Sequence, residues 1–213
     1  MTGEVTVEEE VIEDALAAVE TLRAHARIDP ERIFVAGHSL GAMLAPEIAR
    51  QDGRLAGIVL LAAPARPFGE VVAEQIEYVR SLTPAPQQAA MDSMARLVER
   101  LTAGDLAPEE PVLSATASYF YDLARHDPVS IAAALTLPML IIQGGRDYQV
   151  TMADFALWRA ALGDESRVSF EAYDDLNHLF HVGEGKATPS EYARAGHVDG
   201  RVIERVGSFV RGG

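Results

Sequence analysis

Four short apolar runs, each stopped by Gly, Pro or an Asp pair, constrain this chain more than any other feature. They are Arg32 to Gly37 ("RIFVAG"), Leu55 to Pro64 ("LAGIVLLAAP"), Leu137 to Gly145 ("LPMLIIQGG") and Arg167 to Asp175 ("RVSFEAYDD"). Such runs read as buried strands. Between and around them lie helical patterns: Thr6 to Ala26, Leu40 to Arg50, Thr151 to Gly163 and His197 to Gly212. Buried strands alternating with helices indicate an α/β fold with a mostly parallel sheet covered on both faces. In the first helix Val7, Val11, Ala15, Leu16, Val19 and Leu22 form the inward stripe, and Thr6 with Glu9 fits a capping box. In the last, Val202, Ile203, Val206 and Phe209 or Val210 face inward.

One interval breaks the rhythm. Residues 65–136 separate the second and third strands, too long for a plain connection. Helices are expected at Glu70–Leu82, Gln87–Thr102 and Val112–Arg125, making a helical cap inserted into a core of residues 1–64 and 137–213.

The first strand runs into Gly37-His38-Ser39-Leu40-Gly41, which matches G-x-S-x-G. A Ser held in a tight strand-to-helix turn exposes its hydroxyl at the C-terminal edge of the sheet, and glycines on either side let strand and helix approach. The Leu40 N–H then heads a helix, where it is placed to stabilise an oxyanion. Such a hydroxyl needs a base, and the base needs an orienting carboxylate. Asp147 follows the third strand in "IIQGGRDYQV", and His178 follows the fourth in "YDDLNHLF". Three strand ends thus carry Ser39, Asp147 and His178 in the order this chemistry uses in α/β folds. A Gly-rich turn and a helix cap are the plain alternatives for Ser39 and Asp147. His181 is the rival base, and Asp174 and Asp175 are rival acids. His38 is expected to pack or hydrogen-bond beside the nucleophile; His25, His126 and His197 read as helix-end or surface residues. Pro46 falls inside the helix after Ser39 and either kinks it or marks its end.

Composition closes off other classes. The chain has 213 residues, 48% hydrophobic and 23% charged, enough for one domain with a buried core. No apolar run reaches the roughly eighteen residues of a membrane span, and the acidic start "MTGEVTVEEEVIED" lacks a leader pattern. With no Cys there is neither disulfide nor thiolate chemistry, which fits a cytoplasmic setting. A formal charge of −14 opposes binding to nucleic acid or anionic membrane. No phosphate-binding Gly motif or metal-ligand spacing is present, so neither cofactor nor metal is expected.

The segments "GHSLGAMLAPEIA", "QGGRDYQVTMADF" and "DLNHLFHVGEGKATPSEY" resemble the α/β-hydrolase fold, and within it bacterial serine carboxylesterases of the EstD-like group, near the dienelactone-hydrolase and prolyl-oligopeptidase-like hydrolases. The resemblance implies Ser39 as nucleophile, Asp147 as acid and His178 as base. It also implies a helical insertion where residues 65–136 stand, and a small-molecule carboxylic ester with a small or medium acyl group as substrate. Thioester, acyl-transfer or peptide chemistry on the same triad is the alternative, as is a remnant that only binds a ligand. The substrate pocket is expected to use His38, Ile76, Tyr78, Met91, Met94, Tyr119 and Phe120, which equally fit packing inside the insertion.

In that family several strands precede the elbow and a loop after an early strand gives the second oxyanion N–H, whereas one helix and one strand precede Ser39 here. Only the Leu40 donor is then assured, and the strand at 32–36, central in the family, presents an open apolar edge. Three outcomes are expected from this: a truncated product of weak activity, a homodimer paired along that edge, or a donor supplied by the insertion or the N-terminal segment.

Overall fold

A computed structural model of the chain describes residues 5–212; the leader reading at the N-terminus falls partly on Met1–Glu4, outside the described residues. A π-helical turn, Glu8–Ile12, leads into α1 (Glu13–Arg23). The Thr6–Glu9 capping box forms, with the Glu9 N–H on Thr6 Oγ1 and the Thr6 N–H on Glu9 Oε2, both at 3.2 Å. The wider π turn carries an extra residue and shifts the helix face. Val7 is fully buried as expected, but so is Ile12, outside the expected stripe, while Val11 is half-buried and Leu22 at the far end is 43% exposed.

Strand β1 (Phe34–His38) starts two residues later than the expected 32–36 and runs directly into α2 (Leu40–Asp52). Strand β2 (Gly57–Leu61) follows. The interval after it folds as α3 (Phe68–Leu82), α4 (Gln88–Ala103), the short pair β3 (Pro111–Val112) and β4 (Ala115–Thr116), α5 (Ala117–Leu123) and α6 (Pro128–Ala134). The helix expected from Val112 begins only at Ala117 because Leu113 adopts φ 51°, turning the chain into an antiparallel hairpin first. Then come β5 (Met139–Gly144), α7 (Met152–Leu162), capped by Thr151, β6 (Val168–Tyr173) and α8 (Gly200–Arg211).

The main sheet has the order β1-β2-β5-β6 and all its pairings are parallel. Side chains alternate between two covered faces, so the strands read as continuous apolar runs. Ile58, Leu60, Met139 and Ile141 pack with Ala42 and Ala45 of α2, Ala132 of α6 and Phe155, Trp158 and Leu162 of α7. Val59, Leu140 and Ile142 pack against Leu176, Phe180 and Val202 on the other face. Helix α8 docks there through Val202, Val206 and Phe209, a spacing that turns Ile203 outward to 61% exposure, contrary to the expected inward stripe.

Helix α2 is enclosed. Its second apolar face, Met43, Leu44 and Ile48, packs against Val7, Ile12, Leu101, Tyr119, Phe120 and Leu123. Every residue from Ala42 to Ala49 is buried, and the helix continues through Pro46. Packing on all sides offsets the lost backbone bond that proline imposes.

The segment after β2 is tied to the sheet at its start. Asp154 is fully buried and accepts from the N–H of Ala65 and Arg66 and from the Arg66 guanidinium, with Nη2–Oδ2 at 2.7 Å. The Trp158 indole donates to the Ala63 carbonyl at 3.0 Å. Helices α3 and α4 pack on each other through Val72, Ile76 and Val98, whereas α6 lies with α2 and α7 against the sheet.

Candidate active site

Parallel strands bring all their C-terminal ends to one edge, and the chain leaves that edge at Ser39, Asp147 and His178. Ser39 has φ 55° and ψ −118°, a conformation non-glycine residues rarely adopt. It is held by its own N–H on the Leu61 carbonyl at 2.9 Å and by its carbonyl, which accepts from the N–H groups of Ala42 and Met43 at 3.0 Å. Strain of this kind, roughly 1–3 kcal/mol, persists only where the surroundings enforce it. A Cβ at Gly37 would overlap the backbone of Gly41, so the strand-to-helix approach requires that glycine; at Gly41 itself a Cβ would meet no atom of the described residues. The expectation that both glycines make room therefore holds for Gly37 alone. Leu40 opens α2, and its N–H is among those at a helix start that have no intrahelical acceptor.

Asp147 is 3% exposed, and both of its carboxylate oxygens are engaged. Oδ1 accepts from the N–H of Gln149 at 2.7 Å and of Val150 at 3.0 Å. Oδ2 accepts from Gln143 Nε2 at 3.2 Å and from His178 Nδ1–H at 2.7 Å. A carboxylate oxygen is an acceptor, so this contact places a proton on Nδ1; in a neutral ring Nε2 is then the atom able to accept one. Gly144 permits the closeness of the two loops, because a Cβ there would stand 2.5 Å from the Leu176 carbonyl oxygen.

His38 donates Nε2–H to the His178 carbonyl at 2.8 Å, and the two rings lie 4.6 Å apart. Desolvation is the main cause holding the His38 pKa below its ordinary value, against that hydrogen bond and with help from the His178 ring. The Ser39 hydroxyl makes no hydrogen bond among the described residues.

Two of the rivals, His181 and Asp175, have other partners. The His181 ring rests against Gly196, and the His181 backbone N–H donates to Asn177 Oδ1 at 3.0 Å. Asp175 pairs with Arg201 at 2.7 Å.

The expected pocket residues divide. Tyr78 reaches the site loops: its hydroxyl donates to the Ala187 carbonyl at 3.0 Å and its ring lies 5.1 Å from Tyr148. Beside it, Gln75 donates to the Gln149 carbonyl at 2.9 Å, so α3 is fastened to the acid turn. Ile76 and Met94 pack between α3 and α4, where Ile76 lines a cavity of about 440 Å³ with Val98 and Thr102. Met91 is half-buried on α4. Tyr119 and Phe120 pack against α2, with Phe120 stacked on Phe68 at 5.3 Å. Residues that the sequence reading missed are Tyr148 and Tyr192, whose rings lie 5.8 Å apart beside Asp147. Burial, and then Asp147, raise the Tyr148 pKa; Tyr192 is pushed up to about 12, chiefly by burial.

This fold and edge define an α/β hydrolase. The sequence pattern of the family described as alpha/beta hydrolase fold matches residues 9–182, and the chain belongs to that family. It is 49% identical over 205 residues to Esterase EstD of Thermotoga maritima, an alignment that covers 96% of this chain and 48% of that protein. The chain thus spans about half the length of that relative. Among solved structures, an esterase of Pyrococcus furiosus superposes with a TM-score of 0.57 at 15% identity, covering 99% of this chain and 63% of that one. A thermophilic esterase of Thermogutta terrifontis, with malate bound, gives 0.55 at 21% identity, covering 99% and 74%. Among the described residues no helix is long and apolar enough to cross a membrane.

Proposed function

We propose that the chain hydrolyses carboxylic esters of small to medium acyl groups, with Ser39 as nucleophile, His178 as base and Asp147 as orienting acid. The observation that carries this reading is the 2.7 Å hydrogen bond from His178 Nδ1–H to the buried Asp147 carboxylate, on the same sheet edge as the strained Ser39. His178 Nε2 takes the Ser39 proton as Oγ attacks the ester carbonyl. Asp147 stabilises the imidazolium that forms. The Leu40 N–H stabilises the tetrahedral oxyanion. The imidazolium then protonates the leaving alcohol, and His178 activates the water that releases the acid from the acyl-enzyme.

The name of the Thermotoga maritima relative supports esters over thioesters, acyl transfer or peptides, which the same three groups also serve. The open edge of β1, first in the sheet order, supports pairing with a second copy of the chain, and the absence of Cys supports a cytoplasmic setting. The substrate reading is tested with matched chromogenic ester, thioester and peptide substrates of short acyl length. Fastest turnover is expected on the esters. Hydrolysis of the peptide or thioester alone by folded protein overturns the ester assignment.

A further inference from the structure

Two loops carry Asp147 and His178, and a second bridge joins the same two loops one residue away. Arg146 precedes Asp147 and is 5% exposed. Its Nε donates to the Gly185 carbonyl at 2.6 Å, and its Nη2 to the Glu184 carbonyl at 3.1 Å and to both Glu191 carboxylate oxygens at 2.8 and 2.9 Å. Its backbone joins in: the N–H donates to the Leu176 carbonyl at 2.9 Å, and the carbonyl accepts from the Ala187 N–H at 3.1 Å. Arg146 therefore grips the base loop on both sides of His178. Nη1 is buried without a partner among the described residues and rests on Gly183, where a Cβ would overlap it.

The bridge closes on the residue before His178. Glu191 also accepts from the Thr188 N–H at 3.2 Å and from Asn177 Nδ2 at 3.5 Å. Asn177 is 1% exposed, and its Oδ1 accepts from the N–H groups of Leu179 and His181, both at 3.0 Å. It thereby shapes the turn that presents His178. Burial opposes ionisation of Glu191, yet Arg146 and these donors hold its carboxyl below the usual carboxylate range. None of these groups has a part in the proton transfers proposed above. A buried ion pair is a poor means of gaining stability, since apolar residues of similar volume often serve as well; what it supplies is fixed geometry.

We propose that Arg146 and Glu191 are positioning residues, a clamp that sets the distance and orientation of His178 relative to Asp147. This rests on the reading of His178 as the base. Lys supplies a point charge and cannot span the carbonyls and the carboxylate together, so Arg146→Lys is expected to slip the loop. A misplacement of that size lowers kcat about ten- to a hundredfold, while KM stays within about twofold because no substrate contact is removed. Glu191→Gln, at a side chain 23% exposed, is the milder variant and carries the test should Arg146→Lys fail to fold. The double variant should lose no more than the worse single one, as expected for two halves of one device. Nitrogen-15 shifts of His178 read the clamp without turnover: wild type and Ser39→Ala should show the Nδ1–H tautomer, and the clamp variants a mixture. Unchanged kcat in the folded single variants, losses that multiply, or an unmixed Nδ1–H tautomer in both variants overturns the clamp. Wild-type turnover in Ser39→Ala overturns the nucleophile reading instead, and the tautomer measurement still decides the clamp.

Discussion

Ser39→Ala is expected to lower short-chain ester turnover on the order of a millionfold, the scale seen when such a nucleophile is removed from an intact triad. The fold should be untouched. The substitution deletes one oxygen, Ala carries the same Cβ through φ 55°, and the anchoring Ser39 N–H to Leu61 bond is backbone. Initial rates and thermal melts on the same preparations check both halves. Equal rates for the two proteins would remove Ser39 from the mechanism. Unequal melting temperatures with equal specific activity would make it a structural turn residue.

Asp147→Asn is expected to cost about ten-thousandfold in kcat, for a reason specific to this site. Oδ1 is committed to two backbone donors, Gln149 and Val150, so the amide oxygen of an Asn must occupy that position. The amide NH2 then falls where Oδ2 stood, facing the Gln143 amide donor and His178 Nδ1. A donor there favours an unprotonated Nδ1, which leaves the proton on Nε2, the atom that must accept from Ser39. The imidazolium also loses its compensating charge. A pH series of kcat on folded Asp147→Asn reads this directly. Recovery at high pH would indicate a tautomer defect, and a near wild-type rate at neutral pH would contradict the orienting role.

The strand ends were legible because each lies where an apolar run meets Gly or a polar loop, a change of composition that local sequence records. Ser39, Asp147 and His178 follow such ends, and parallel topology does the rest. Other features depend on contacts that local sequence does not encode. Leu113 adopts φ 51° without being Gly, so nothing marked the hairpin before α5. The π turn moved burial onto Ile12 because one added residue rotates the face that follows. For Tyr119 and Phe120 the sequence left pocket lining and packing as equal readings, because an aromatic facing α2 and one facing a substrate share the same amphipathic spacing; both pack against α2. The box Thr188-x-x-Glu191 is visible in "TPSE", and the Glu191 carboxylate does reach back to the Thr188 N–H. Its engagement by Arg146, 45 positions away, exists only in three dimensions.

The open edge of the strand at 32–36 was expected from the family resemblance and not from the run itself, and β1 does stand first in the sheet order. The alternation of β1 places Val35 and Gly37 toward α2, while Ala36 and His38 are exposed, and β2 alone pairs with it among the described residues. An apolar run identifies a strand, and the sheet order identifies an edge.

Covalent capture distinguishes a Ser39 nucleophile activated through His178 and Asp147 from an inert turn residue. The folded chain is treated with a serine-directed fluorophosphonate, digested, and mapped by peptide mass. One adduct is expected, on the peptide containing Ser39, formed much more slowly in Asp147→Asn and absent in Ser39→Ala. No adduct, an adduct on a different residue, or labelling of Ser39 at the same rate in Asp147→Asn would contradict it.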